Sequence, residues 1–126
     1  AAAGLDGTYR RFRGVRRVAR QPPLAYTTIL VADALAPDPA TLDGLDESVS
    51  EWIEREHDVR IEVVEQRIAA VALAALPAAR LEVAPGSPAL CTVRRYRDAG
   101  GRVVLHSESL HPAGRFAYTL RMLRKR

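Results

Sequence analysis

The chain has 126 residues, 48% of them hydrophobic, which suits one domain with a single core. Its single cysteine excludes an internal disulfide and favours a reducing, cytoplasmic setting. The net charge is positive, since 19 Lys and Arg outnumber 15 Asp and Glu. No uncharged apolar run reaches the roughly 18 residues of a membrane helix. Residues 1–4 lack the charged and apolar parts of a signal peptide.

The first predicted element is a strand-turn-strand unit that occurs twice. Residues 7–31 and residues 86–111 each begin with glycine, continue through an extended stretch to Val-Arg-Arg, turn, and end in an alternating strand. The spacing of the two copies agrees to within one residue, which a single insertion in the second turn explains. This pattern predicts an internally duplicated β-rich domain, and a duplicated sheet often encloses a shared pocket.

A helix is predicted between the two copies. Residues 36–39 break the chain as a loop, and Asp43 or Asp46 then caps a helix running to about His57. Apolar residues recur at helical spacing along one side of this segment, while its acidic residues lie mostly outside that stripe. We therefore expect an amphipathic helix packed on a sheet.

Three further elements follow along the chain. Residues 59–71 alternate and are rich in β-branched side chains, which predicts a long strand. The Ala-rich residues 73–81 contain Pro77, which a first helical turn tolerates, so a short helix is expected to start there. Residues 116–123 predict a last strand that closes the domain before a basic tail. The whole predicts an α+β fold with helices packed on an antiparallel sheet.

The order of these elements resembles a known family. The Leu-x-Val-x-Pro-Gly turn at 81–86, the Arg-Arg strand, the Gly-Gly turn, and the sequence HPAGRFAY at 111–118 are similar to the effector-binding (UTRA) domain of HutC-type GntR transcriptional regulators. The resemblance covers about residues 5–123 and includes the internal duplication. It implies a chorismate-lyase-like fold over residues 1–126, a single ligand-binding domain without cofactor, and no enzymatic activity.

The resemblance also implies partners. Family members place a winged-helix DNA-binding domain before this one, and a small effector then changes the spacing of two such domains in a homodimeric repressor. No helix-turn-helix pattern precedes Gly7, and only residues 1–6 stand where the second copy has a strand and a short helix. We expect either a piece of a longer regulator or a stand-alone relative, which contacts DNA only through a domain that this chain lacks.

The same resemblance assigns an anion site. In sugar-phosphate-sensing relatives, arginines at the end of the first Arg-rich strand and a serine at the start of the central helix hold phosphate. Arg17 and Ser48 match such positions, Val15 replaces a second arginine, and Ser50 occupies a nearby aromatic position. A helix N-terminus attracts anions, but local hydrogen bonding by the two serines is the alternative.

The remaining predicted contacts lie on the alternating strands. Thr27 and Leu105 stand where relatives carry acidic residues for sugar hydroxyls, and His111 stands where they carry an aromatic residue. Ser107 is equivalent to Thr27, on the opposite side of a cavity between the two hairpins and the central helix. Because neither Thr27 nor Leu105 carries a carboxylate, an amino sugar is disfavoured as the effector. A small anionic metabolite is favoured instead, held by one arginine and a few hydroxyls.

Two other functions have weaker support. A chorismate-lyase-like enzyme needs two carboxylate-binding arginines and an acidic group, which the pocket strands do not offer. A nucleic-acid-binding module needs aromatic residues interleaved with the arginines of the first strand, and only Tyr9 and Phe12 qualify. The histidines are too scattered for a metal site, and Ser107 and His111 lie roughly 13 Å apart on an extended strand, too far for a catalytic couple.

Overall fold

A five-stranded antiparallel sheet forms the frame of the domain in the computed structural model, which describes residues 5–124. In chain order its strands are β1 Tyr9–Arg16, β2 Ala25–Ala32, β3 Ile61–Ala72, β4 Pro88–Asp98 and β5 Val103–Pro112. Their spatial order is β1-β2-β5-β4-β3. Each repeated unit is thus a hairpin, and the two hairpins join through β2 and β5. The predicted α+β fold with a duplicated antiparallel sheet is confirmed.

Three short helices and a 3-10 turn complete the domain: α1 Pro39–Asp43, α2 Val49–His57, α3 Ala75–Leu81 and the turn Asp33–Leu35. The helix expected from Asp43 or Asp46 to about His57 is the shorter α2, and α1, which precedes it, was not predicted. Asp38 caps α1 by accepting a hydrogen bond from the backbone N–H of Thr41 at 2.7 Å, and Ser48 caps α2. None of the helices among residues 5–124 is long and apolar enough to cross a bilayer.

The end of the chain differs from the expectation. Residues 116–124 form neither a helix nor a strand and pair with no strand among residues 5–124, so the predicted closing strand is wrong. Their apolar alternation is real, but a strand also needs a neighbour for its backbone groups, and the described part of this chain supplies none. The expectations for residues 1–4 and for the last two residues of the basic tail lie outside the described residues.

Two apolar clusters hold the helices on opposite faces of the sheet. We call the face that carries Thr27 face A and the opposite one face B. On face A, Trp52 and Ile53 of α2 pack against Val31 and Leu105. At the other end of the sheet, Ala78 and Leu81 of α3 pack with Leu73 and Ala89 on face B. Since α2 covers only one end of face A, the polar residues of that face lie beyond it.

Candidate ligand-binding site

The cross-strand register places a row of hydroxyl groups on face A. Thr27 of β2 pairs with Ser109 of β5, which pairs with Thr92 of β4, and residues paired across antiparallel strands share a face. The Thr27 Oγ1 and Ser109 Oγ atoms are 2.8 Å apart, and Thr92 Oγ1 lies 3.2 Å from Nε2 of His111. We call these four residues the polar row.

Two arginines flank the polar row on the same face. Arg16 of β1 pairs with Ala25, and Arg94 of β4 pairs with Ser107, so the middle residue of each Val-Arg-Arg points to face A. Burial lowers the pKa of His111 below its usual value, and the positive charges of Arg16 and then Arg94 lower it further. One cation from each hairpin therefore acts on the same imidazole.

The two arginines differ in their own contacts. Nε of Arg94 donates a hydrogen bond of 2.6 Å to Oε1 of Gln66 on β3. Arg16 has no side-chain hydrogen bond or ion pair within residues 5–124 and is exposed. Arg94 is thus positioned by the sheet, whereas Arg16 is available to a ligand.

A groove of about 320 Å³ lies between the first hairpin and helices α1 and α2. Its polar lining includes Arg16, Thr27 and Asp43. Its apolar lining includes Phe12, Val15, Ile29, Leu42 and Val49. Because Thr27 belongs both to the groove and to the polar row, the two features adjoin. A mostly apolar concavity with a few polar groups is the usual form of a small-molecule site.

Four of the seven predicted site residues share one face. Thr27, Leu105, Ser107 and His111 all lie on face A. Thr27 and Ser107 are not on opposite sides of a cavity, however, because β2 and β5 are neighbours in one sheet, where Ser107 pairs with Ile29. Leu105 is 3% exposed and belongs to the core under α2, so it packs there instead of reaching the groove.

Arg17 lies elsewhere. Its Nη2 atom donates to Oε2 of Glu82, just after α3, at 2.6 Å, and its Nη1 atom donates to the Gln21 carbonyl at 3.4 Å. The expected position of Arg17 in the pocket is therefore not found, and Arg16 occupies the face that was assigned to it. Neighbouring residues of a strand point to opposite faces, so the assignment of Arg17 to the pocket differs by one residue from the observed position of Arg16.

The serines at the start of α2 bond mainly to their own helix. Ser48 Oγ accepts from the Glu51 backbone N–H at 3.2 Å and donates to its Oε1 at 2.9 Å. Ser50 Oγ lies 3.1 Å from Ser48 Oγ. Local hydrogen bonding, the alternative to anion binding, thus accounts for the bonds of Ser48. Val49, between the two serines, lines the groove.

Sequence reasoning missed Arg16, Arg94, Thr92 and Ser109. The repeated Val-Arg-Arg motif was the available signal for the two arginines, since it brings the same residue of each copy to one face. Ser109 could have been predicted, because it lies two residues after Ser107 and alternation places both on one face. Thr92 could be assigned to the site only once the pairing of β4 with β5 was known.

The model of the UTRA domain family matches residues 10–117. The chain belongs to the UTRA domain family. This family is the ligand-binding regulatory domain of GntR-type transcription factors, so the expectation of a regulatory domain and not an enzyme is confirmed. No curated protein matches the chain.

Solved structures show the same fold. A putative transcriptional regulator from Streptomyces coelicolor is 22% identical, with a TM-score of 0.80 over 93% of this chain and 77% of that one. A GntR-family regulator from Enterococcus faecalis V583 is 17% identical, with a TM-score of 0.78 over 90% and 81%. The possible regulator YydK from Bacillus subtilis is 14% identical, with a TM-score of 0.77 over 91% of this chain but only 50% of its own.

Proposed function

We propose that this UTRA domain binds a small anionic metabolite on face A, between the polar row and the groove. The observation that carries this proposal is the position of Arg16, Arg94 and His111 on one face of the sheet, beside a largely apolar groove. The anionic group accepts hydrogen bonds from Arg16 and from the hydroxyl of Thr27. Charge-assisted bonds from arginine to carboxylate or phosphate are among the strongest available to such a site.

The groove suggests the rest of the ligand. Phe12 and Val49 supply apolar surface next to the arginine, so the ligand carries an apolar portion beside its anionic group. Asp43 adds one carboxylate to the groove wall, which disfavours a second anionic group and suits a hydroxyl or ammonium donor. A monoanionic molecule with a hydrocarbon portion fits this lining better than a phosphorylated sugar.

The proposed site keeps part of the set implied by the resemblance. Thr27, Ser107 and His111 remain proposed contacts, and Ser48 and Ser50 remain at its border. Arg16 replaces Arg17, whose guanidinium is paired with Glu82. Leu105 supports the floor of the site from the core.

We also propose the setting in which the domain works. It is part of a HutC-type repressor in the cytoplasm, a homodimer in which effector binding alters DNA binding by an attached winged-helix domain. The family supports this arrangement, as does the length of the YydK regulator, of which this chain covers half. A two-fold symmetric dimer also matches the symmetry of most operators.

The test uses sulfate and short-chain fatty acid anions as probes in a thermal unfolding assay. Both should raise the melting temperature, because a ligand that binds only the native state stabilises it. Arg16→Ala should weaken binding by about 10-fold or more, since a hydrogen bond to a charged group contributes about 1.5–3 kcal/mol. The unliganded melting temperature should hardly change because Arg16 is exposed.

Arg17→Ala is the matched control, since it removes the neighbouring guanidinium from a solvent-exposed ion pair. It should leave binding of both probes unchanged. Unaltered binding in Arg16→Ala, or lost binding in Arg17→Ala, would refute the proposed site and restore the original assignment. Tighter binding of sulfate than of the fatty acid anions would reject only the proposed apolar portion of the ligand and would leave the anion site standing.

A further inference from the structure

A second cavity, of about 190 Å³, opens on face B beside the first turn of α3. Leu76 and Pro77 of that turn form one wall of the cavity, and Leu76 is 53% exposed. Tyr26 of β2 and Leu110 of β5, which pair with each other, supply the apolar part of the sheet beneath it. The cavity is smaller than the roughly 300–1,000 Å³ of pockets for drug-sized ligands, so the molecule that it accommodates is compact.

Two opposite charges flank one hydroxyl group at the polar side of this cavity. Arg13 of β1 pairs with Thr28 of β2, and Thr28 pairs with Glu108 of β5, so the three residues lie side by side across face B. All three line the cavity. Neighbouring strands are about 4.8 Å apart, so the backbones of Arg13 and Glu108, with β2 between them, are separated by roughly 10 Å.

These two charged side chains have no partner within residues 5–124. Arg13 donates no side-chain hydrogen bond, Glu108 accepts none, and neither forms an ion pair with a described residue. The other carboxylates on the strands differ in this respect. Glu62 and Glu65 are paired with arginines, and Asp98 accepts hydrogen bonds from backbone N–H groups of the turn that follows it. The cavity therefore presents one cation and one anion to a ligand.

We propose that this cavity is a second ligand site, which binds a free amino acid with a small apolar side chain. The carboxylate of the amino acid accepts hydrogen bonds from the Arg13 guanidinium, and its ammonium group donates to the Glu108 carboxylate. Thr28 lies between these two contacts and supplies a hydroxyl to either charge. The apolar side chain packs against Leu76 and Leu110.

A zwitterion explains why the two charged residues are not paired with each other. An α-amino acid carries both of its charges on one carbon atom, so it bridges a cation and an anion that stand too far apart for a direct bond. A molecule with a single charge would leave either Arg13 or Glu108 without a partner. The site lies on face B and does not depend on the proposed effector site of face A.

L-Valine is the probe, in a titration followed by the methyl signals of nuclear magnetic resonance spectra. The signals of Thr28, Leu76 and Leu110 should shift, whereas those of Ile29 and Val49 in the face-A groove should not. Isobutylamine is valine without its carboxylate, and isovalerate is valine without its ammonium group. Each should bind face B about 10-fold more weakly than valine, because one charge-assisted contact is lost.

Two variants assign the charges. Arg13→Ala should weaken valine binding by about 10-fold and leave isobutylamine binding unchanged, because the amine makes no contact with Arg13. Glu108→Gln should weaken valine binding to a similar degree and leave isovalerate binding unchanged. Both residues are exposed, so both variants should fold, and the comparison of the three probes on the wild type needs no variant.

Arg67→Ala is the matched control. Arg67 lies on face B on the other side of Glu108, with Val93 between them, and it does not line the cavity. It should bind valine like the wild type, and so should Arg16→Ala, whose substitution lies on face A. Unchanged methyl signals on face B, equal binding of the three probes, or an equal loss in Arg67→Ala would each overturn the second site. Shifts at Ile29 and Val49 instead would make valine a ligand of face A and would overturn it as well.

Discussion

The two hairpins contain the same Val-Arg-Arg strand in different surroundings. In the second hairpin, β4 and β5 each have neighbours on both sides, Arg94 is held by Gln66, and Arg95 Nε donates to Nδ1 of the buried His106 at 3.2 Å. In the first hairpin, β1 is an edge strand that is exposed along most of its length, and Arg16 faces the groove. One sequence unit therefore serves as framework in the second hairpin and as the proposed ligand contact in the first.

The largest effect expected from this comparison is on folding stability. Leu105→Ala should lower the free energy of unfolding by about 2–5 kcal/mol, because it leaves a cavity beneath α2 in the second hairpin. Val15→Ala on β1 should lower it by less than about 1 kcal/mol, since Val15 is 39% exposed. Urea denaturation measures both. A small loss for Leu105→Ala together with weaker sulfate binding would make Leu105 a ligand contact after all.

A middle-sized effect should come from releasing Arg94. Gln66→Ala removes the acceptor that positions its guanidinium, so sulfate binding should weaken by about 2- to 10-fold, the cost of ordering one long side chain on binding. Isothermal titration calorimetry measures the affinity. Tyr118→Phe is the control, because it removes only the other bond of Gln66. If Gln66→Ala weakened sulfate binding as much as Arg16→Ala does, the two hairpins would contribute equally to anion binding.

The smallest effect concerns pH. The folded pKa of His111 lies below 6.5, so the stability that its neutral form contributes is complete above that value and is lost as pH falls through the folded pKa. A bound anion favours the protonated ring and raises this pKa. Sulfate, which keeps its charge, should therefore bind a few-fold more tightly at about pH 5.5 than at about pH 7.5.

His111→Asn separates this effect from other titrations. His106 also has a lowered pKa, caused first by burial and then by Arg95, but it lies on face B, away from the proposed site. The pH dependence of sulfate binding should disappear in His111→Asn and persist in His106→Asn. The reverse outcome would move the anion to the other face of the sheet.

The hairpins, the long strand and the short helix were predictable because alternation and turns rich in Pro or Gly act locally. The start of α2 was not, since Asp43, Asp46 and Ser48 all satisfy the same capping rule and only the fold selects Ser48. Helix α1, which Asp38 caps, was not predicted. The closing strand failed for another reason. Residues 116–123 have the right pattern, but a pattern cannot supply the neighbour that a strand requires.

The candidate site was predictable only where alternation connects its residues to one another. On β5, Ser107 and His111 share a face because both are an even number of residues from Leu105, although residues 103–106 are buried on both faces. On β1, charged residues occupy both faces, so hydrophobicity does not distinguish Arg16 from Arg17. The pairing of β1 with β2 makes that choice, and it depends on contacts that lie outside the strand.

The seam between β2 and β5 also bears on how the domain folds. It joins Thr27 to Ser109, 82 residues away, and Arg115 bridges the carbonyls of Pro23 and Leu81 across 92 and 34 residues. Each hairpin closes a short loop, whereas the seam closes a long one and needs both hairpins docked. Because the polar row crosses this seam, an intermediate with separate hairpins lacks that row. The proposed effector site therefore forms only in the completed sheet.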